Sequence, residues 1–147
     1  MGKKYRLLEN DTITVNGRTL YRIEALRDFT EDVKKGDKGG YVEKEENLSH
    51  EGECWVYGNA CVYDDAKVSG DAWTTDNAQV YGNACVYDRA SVTGNACVYD
   101  NAQVYGFSDI FGYAHVFGYA KVFGRALVYG KAHVRGKTKL KGKEERS

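Results

Sequence analysis

His115 and His133 stand 18 residues apart, and Cys97 stands 18 residues before His115. An imidazole can take a proton near neutral pH, and Cys, His and His together form a donor set that zinc accepts. Around them lie Lys121, Arg125 and Arg135, interleaved with Phe117, Tyr119 and Phe123. Aromatic planes beside cations suit the faces of nucleobases and the charge of phosphates. His115, Phe117, Tyr119, Lys121, Phe123, Arg125, His133 and Arg135 are therefore the candidate ligand-binding residues. Neither histidine has a carboxylate to orient it, since the spacing puts Asp109 on another face, and no fourth metal ligand or supporting shell is apparent. A Gly-rich phosphate loop, a nucleophile elbow and a Cys-x-x-Cys pair are also missing. The sequence thus assigns no catalytic residue, no metal site and no cofactor.

These residues sit in a stretch that repeats every six residues. A small residue recurs from Cys54, Ala60 and Ala66 to Ala132 and Thr138, and an aliphatic one follows two places later, from Val56 and Val62 to Leu140. Only Thr74 breaks the aliphatic series, and fifteen units run without an insertion. Such a period is the signature of a β-helix. Within a unit, period-2 alternation directs Ala and Val inward and their neighbours outward. The next pair begins with Gly or Asp, which accept the left-handed backbone of a corner. Three hexads make one triangular coil, so the sequence predicts an all-β, parallel β-helix of about five coils. Stacking is obligatory, because one hexad alone has no partner for its backbone.

Residues 18 apart then stack in columns ~4.8 Å per coil. Tyr63, Tyr81, Tyr99, Phe117 and Arg135 form one, and Ser69, Tyr87, Tyr105, Phe123 and Lys141 another. A third holds Tyr57, Thr75, Thr93, Phe111 and Tyr129. Ladders of rings add stability on a β surface. Phe107, Phe111, Tyr113, Phe117 and Phe123, with Tyr119 among them, crowd into nearly one coil at outward or corner positions. So large an apolar belt marks an interface, and these residues are the expected contacts of a homo-oligomer.

Residues 5–28 do not follow the hexad. Asn16-Gly17 between two strand-like runs is a hairpin signal, and a solenoid end needs a cap. The expected organisation is a cap over 1–47, the β-helix over 48–142 and a charged tail over 143–147. Val42 and Leu48 fall in phase with the small residue and His50 with the aliphatic one. Lys137, Lys139, Lys141 and Lys143 on the last strand discourage edge pairing. The chain carries 21 basic and 21 acidic side chains, which excludes a general affinity for long nucleic acid or for a membrane surface. The balance is local, however: residues 41–105 hold 3 basic and 11 acidic groups, net −8, and 106–147 hold 9 and 3, net +6. No long apolar run suggests a membrane span, and the start does not read as a signal peptide. Cys61 and Cys97 lie two coils apart, too far for a disulfide. All four cysteines read as free thiols, which implies a reducing cytoplasm.

The small-x-aliphatic-x-Gly/Asp-x unit resembles the hexapeptide-repeat family, known from acyltransferases and γ-class carbonic anhydrases, over roughly residues 48–142. That resemblance implies a left-handed coil and a homotrimer. The hairpin and the run Gly-Gly-Tyr-Val-Glu-Lys-Glu-Glu-Asn-Leu-Ser (39–49) resemble short hexapeptide-repeat proteins of phage and prophage genomes, implying residence in the cytoplasm of a host cell. Family acyltransferases carry a loop projecting between coils, for which these hexads leave no room. Carbonic anhydrases of the γ class use three histidines, and the coils here hold two. The expectation is therefore a non-catalytic oligomeric binder that sequesters a small anionic nucleotide-like ligand, such as an immune signal. The alternatives are a hexapeptide-type acyltransferase, with His115 or His133 as general base, and a purely structural or protein-interaction β-helix.

Overall fold

Each hexad becomes a two-residue strand and a corner. The computed structural model describes residues 2–141 and, for Glu145 and Arg146, the backbone. Fifteen such strands run from Trp55–Val56 to Lys139–Leu140 and distribute five to each of three parallel sheets. The result is a left-handed parallel β-helix. Face A carries Cys61–Val62, Gln79–Val80, Cys97–Val98, His115–Val116 and His133–Val134. Face B begins at Lys67–Val68 and face C at Trp55–Val56. The pairs Cys97↔His115 and Val98↔Val116 confirm three hexads per coil.

The inward series is buried from Cys54 and Val56 to Val134 and Leu140, except for Thr138 near the end, which is half-buried. Removing each Val from water contributes on the order of 1.5 kcal/mol. Thr74 is also buried, and its Oγ1 finds no partner among the described residues. All four cysteines are free thiols.

The corners require positive φ, as at Gly58 (61°) and Asp64 (58°). Where Asp occupies a corner, it also clamps the next coil. Asp64, Asp76, Asp88 and Asp100 each accept, through Oδ2, the backbone N–H of the glycine 18 residues on, at 3.0–3.1 Å. Gly and Asp alternate hexad by hexad, and an odd number of hexads per coil sets every Asp above a Gly. From Gly106 onward the corners at Gly112, Gly118, Gly124, Gly130 and Gly136 are all glycine, and the clamps stop.

The N-terminal region covers one end and also the sides of the first coils. Strands β1 (Tyr5–Val15) and β2 (Arg18–Ala25) form an antiparallel hairpin, turning through Asn16 and Gly17 at φ 51° and 78°. Strand β3 (Lys38–Val42) pairs antiparallel with β2 and parallel with Cys61–Val62, so the hairpin extends face A. A Cβ at Gly39 or Gly40 would lie 2.4 Å from the Val56 carbonyl oxygen or 2.5 Å from that of Ala60, which explains the glycine pair. The end of the prism is closed by polar groups with partners. Lys4 Nζ donates to the carbonyls of Cys54 at 2.7 Å and Gly52 at 3.2 Å, and burial lowers its pKa. Tyr5 donates its hydroxyl to the carbonyl of Leu48 at 2.5 Å. His50 stacks on Tyr5, accepts the Lys4 N–H at Nδ1 and meets Glu45 at Nε2. It is a hydrogen-bonded cap residue.

The phase of the approach differs from the expectation. Val42 aligns with Val62 and Leu48 with Val68, so both occupy aliphatic sites and not small-residue sites. Two extra residues between Leu48 and Val56 cause the slip, since eight residues replace the usual six. His50 lies in that excursion and points into no aliphatic site. Of the tail expected over 143–147, Glu145–Arg146 pairs through its backbone with Leu127–Val128; residues 143, 144 and 147, Lys143 among them, lie outside the described residues. Lys137, Lys139 and Lys141 are exposed.

Candidate functional site

Two faces gather chemistry, and they lie on different sides of the prism. On face A the outward column runs Cys61, Gln79, Cys97, His115 and His133. Beside it stands the expected ladder: Tyr63, Tyr81, Tyr99 and Phe117 stack at 5.0 Å per step and within 6° of parallel. The upper part of this face is covered. The hairpin tip packs Ile13 and Val15 against a buried cluster of Leu20, Tyr41, Cys61 and Tyr63, which Tyr81 also joins, and Asn16 donates to the Tyr63 hydroxyl at 3.0 Å. Tyr63, at an outward position, is thereby buried. Burial also pushes the Cys61 thiol up to about 11, so it is inert at neutral pH.

The lower part of face A is open. The His115 ring lies 5.1 Å from that of His133, and its Nδ1 meets the Tyr99 hydroxyl at 3.3 Å. His133 packs edge-on to Phe117. Burial, and then the neighbouring His133, lower the His115 pKa below the ordinary imidazole value. A neutral imidazole at physiological pH can accept a proton. Among the described residues no group of three or more His, Cys, Asp or Glu side chains converges as a metal requires.

Face C holds a groove of about 1290 Å³. Its corner column is Glu53, Asp71, Arg89, Phe107 and Arg125, and its floor includes Trp73, Thr75, Asp109 and Leu127. Arg89 and Arg125 sandwich the Phe107 ring, their guanidinium carbons 5.6 and 5.4 Å from its centroid. Neither arginine has a carboxylate partner among the described residues. Ser91 donates to Asp109 at 2.5 Å. Thr30 and Asp32 overhang the upper end, and burial, with Asp32 nearby, raises the Tyr57 pKa.

The candidate ligand-binding residues consequently divide. His115, Phe117, His133 and Arg135 share face A, Lys121 and Phe123 stand on face B, and Tyr119 occupies the corner between them. Arg125 is in the groove of face C. The aromatic belt likewise circles the prism. Phe107 and Phe111 are exposed on face C, Tyr113 and Tyr119 project from corners, and Phe117 and Phe123 are half-buried in ladders. The face C groove escaped the sequence reading, which followed columns after the aliphatic residue. The signal lay one column away, in the corner residues Arg89, Phe107 and Arg125 at 18-residue spacing.

No family model matches the chain. Over 76 residues it is 37% identical to a protein of Escherichia coli (strain K12) described as an uncharacterized acetyltransferase, YdcK. With the solenoid, that match fits a hexapeptide-repeat β-helix. The aligned part is 46% of this chain and 23% of the relative, so the chain spans about a quarter of that protein's length. The comparison favours the acyltransferase alternative over nucleotide sequestration and carries no sign of a phage origin. No helix among the described residues is long and apolar enough to cross a membrane.

Proposed function

We propose that the protein is a hexapeptide-type acyltransferase, with His115 as the general base. The observation that carries this reading is the imidazole of His115, tied to Tyr99 and held neutral by burial and by His133. The acetyltransferase relative supports the same class. In the reaction, an acceptor nitrogen or oxygen attacks the carbonyl carbon of a thioester donor. His115 takes the acceptor's proton as the new bond forms. The C–S bond then breaks, and the leaving thiolate collects a proton. Tyr99 holds the ring so that its orientation costs little at the moment of transfer.

The working assembly is a homotrimer, in which a neighbour supplies the wall that an open face lacks. The belt circles the prism, so a trimer covers only those rings on the two sides that meet neighbours. Native mass spectrometry reads this directly. Phe117→Ser and Phe123→Ser are expected to loosen the assembly while leaving the coils folded. A monomer at micromolar concentration would contradict the trimer.

The deciding experiment is release of free thiol from acetyl-CoA in the presence of a panel of amines and amino sugars. Turnover that falls at least about a hundredfold in His115→Ala supports the reading, in line with loss of general base catalysis. Binding of the donor without turnover favours the second reading, a binder that sequesters a nucleotide-like anion. The observation behind that second reading is the set of cations and rings (Lys121, Arg125, Phe123), together with the lack of any loop projecting from the fifteen strands.

A further inference from the structure

Beside the groove on face C, which meets it at Tyr57 and Thr75, runs an aromatic ladder with two rungs missing. Face A stacks Tyr63, Tyr81, Tyr99 and Phe117, and face B stacks Tyr87, Tyr105 and Phe123, all at 4.9–5.1 Å per coil. The corresponding column of face C reads Tyr57, Thr75, Thr93, Phe111 and Tyr129, and the pairing Val56↔Thr74, Thr74↔Val92 and Val92↔Ile110 puts these on successive coils. Phe111 and Tyr129 stack at 5.4 Å, so the ladder resumes below the gap. The upper face of Phe111 is therefore left without the ring that its counterparts on the other faces have.

Thr93 shares its coil with Arg89, on the opposite side of the face. Four residues at ~3.3 Å each put the two backbones ~13 Å apart, and the arginine side chain spans about half of that distance. A phosphate attached to a ring at the Thr93 rung is thus met by the Arg89 guanidinium when that side chain turns from Phe107 across the face. Glu53, Asp71 and Asp32 upstream, and Asp109 in the floor where it accepts from Ser91, repel an anion and leave the corner column at Arg89 and Arg125 as its landing place. Phe107, between the two arginines, holds both against the wall of the groove.

We infer that the Arg89 end of the face C groove, together with the Thr93 and Phe111 column beside it, is a binding site for a nucleoside monophosphate-sized ligand, its planar base completing the ladder above Phe111 and its phosphate held by Arg89. Stacking supplies affinity without a sequence motif, and a guanidinium makes charge-assisted hydrogen bonds to phosphate. The site lies on a different face from His115, so it stands whether or not acetyl transfer is the activity.

Tryptophan fluorescence tests this. Trp73 in the groove is 40% exposed, while Trp55 is buried, so quenching reports on the groove. AMP is expected to quench saturably, with adenosine and ribose 5-phosphate each at least about tenfold weaker, since each lacks one of the two contacts. Arg89→Ala should weaken AMP about tenfold and leave adenosine unchanged, whereas Lys139→Ala, exposed on face B, should change neither. Thr93→Tyr should fill the rung itself, abolishing AMP binding while keeping the melting temperature at or above that of the parent. The inference is overturned by the absence of a saturable AMP response in folded protein, by adenosine or ribose 5-phosphate binding as tightly as AMP, or by Thr93→Tyr binding AMP unchanged. Should Thr93→Tyr fail to fold, the Arg89→Ala and Lys139→Ala pair still decides: equal effects of the two would sink the site.

Discussion

The coils up to Asp100 and the coils from Gly106 share one inner lining but hold their corners differently. In the first group, every second corner is an aspartate whose carboxylate clamps the coil beneath, and the hairpin covers Tyr63 and Cys61. In the second, all corners are glycine, no hairpin covers the faces, and the exposed rings and most cations collect. The difference teaches that the hexad specifies the prism, while its corners and outer columns distribute stability and function separately. Glycine at every corner leaves more chain entropy to be lost on folding. The C-terminal coils are the softer part, and they carry His115 and Phe111, while Tyr99, Arg89 and Thr93 complete the two proposed sites from the clamped coils.

The inner lining is what the halves have in common, and breaking it has the largest effect. Val98→Asp places an unpaired charge in the middle of the stack and is expected to cost several kcal/mol, enough to unfold both halves. Because each coil contacts only its neighbours, Val134→Asp should fray only the end. Circular dichroism melts of the two variants compare the outcomes, and equal effects would contradict the stacked-coil order.

The glycine corners differ in how closely the next coil approaches. A Cβ at Gly58 meets nothing nearer than 3.5 Å, whereas one at Gly106 meets the backbone nitrogen of Gly124 at 2.7 Å. Both substitutions impose an alanine on a positive φ, at about 1–2 kcal/mol. Gly106→Ala must also separate two backbones, for roughly another 1–3 kcal/mol. Urea denaturation of the pair isolates that term. If the two variants melt alike, the coils below Gly106 are spaced more loosely than the structure has them.

The clamps come next. Asp88→Ala removes the acceptor for the Gly106 N–H and leaves alanine at φ near 59°, for a combined loss of about 1–3 kcal/mol. Asp88→Asn keeps an acceptor and a residue type tolerant of that φ, so it should lose less than half as much. Hydrogen exchange at Gly106 should rise in the first variant and hardly change in the second.

How much of this was legible follows from where the physics is local. Inward burial and the corners depend on residues two apart in one strand, so Ala60, Val62 and Asp64 announce their roles directly. The ladders needed only the 18-residue sum of three hexads. The slip between Leu48 and Val56 was hidden because Val42 and Leu48 keep a six-residue spacing of their own. Covering of Tyr63 by Asn16, Ile13 and Val15 is a contact across some fifty positions that no period encodes. The face C groove was missed for a related reason: its corner residues Arg89, Phe107 and Arg125 lie one column away from the ladders, and the gap at Thr75 and Thr93 in the neighbouring column has no ring to mark it.

The smallest effect separates the halves by pH. His115, on the glycine-cornered side, has its pKa lowered by burial and then by His133. The unfolded chain therefore binds more protons than the folded one as pH falls below the ordinary imidazole value of ~6.5. Stability contributed there is present at neutral pH and declines as the solution is acidified through that range. Glu45, in the cap, is shifted in the same direction but over a lower pH range: hydrogen bonds from Lys3 and then His50 lower its pKa. That lowering favours the folded state above the ordinary carboxylate range and is lost only as pH falls through it, near 4 and below. Acidification should loosen the C-terminal coils first and the cap later. Solvent exposure of both groups keeps the two losses small. Hydrogen exchange followed at pH 7.5, 5.5 and 4 distinguishes the regions: His115→Gln should remove the first step and Glu45→Gln the second. Simultaneous loosening of both regions near pH 6 would mean that the prism responds to acid as one unit and that the division at Gly106 is not energetic.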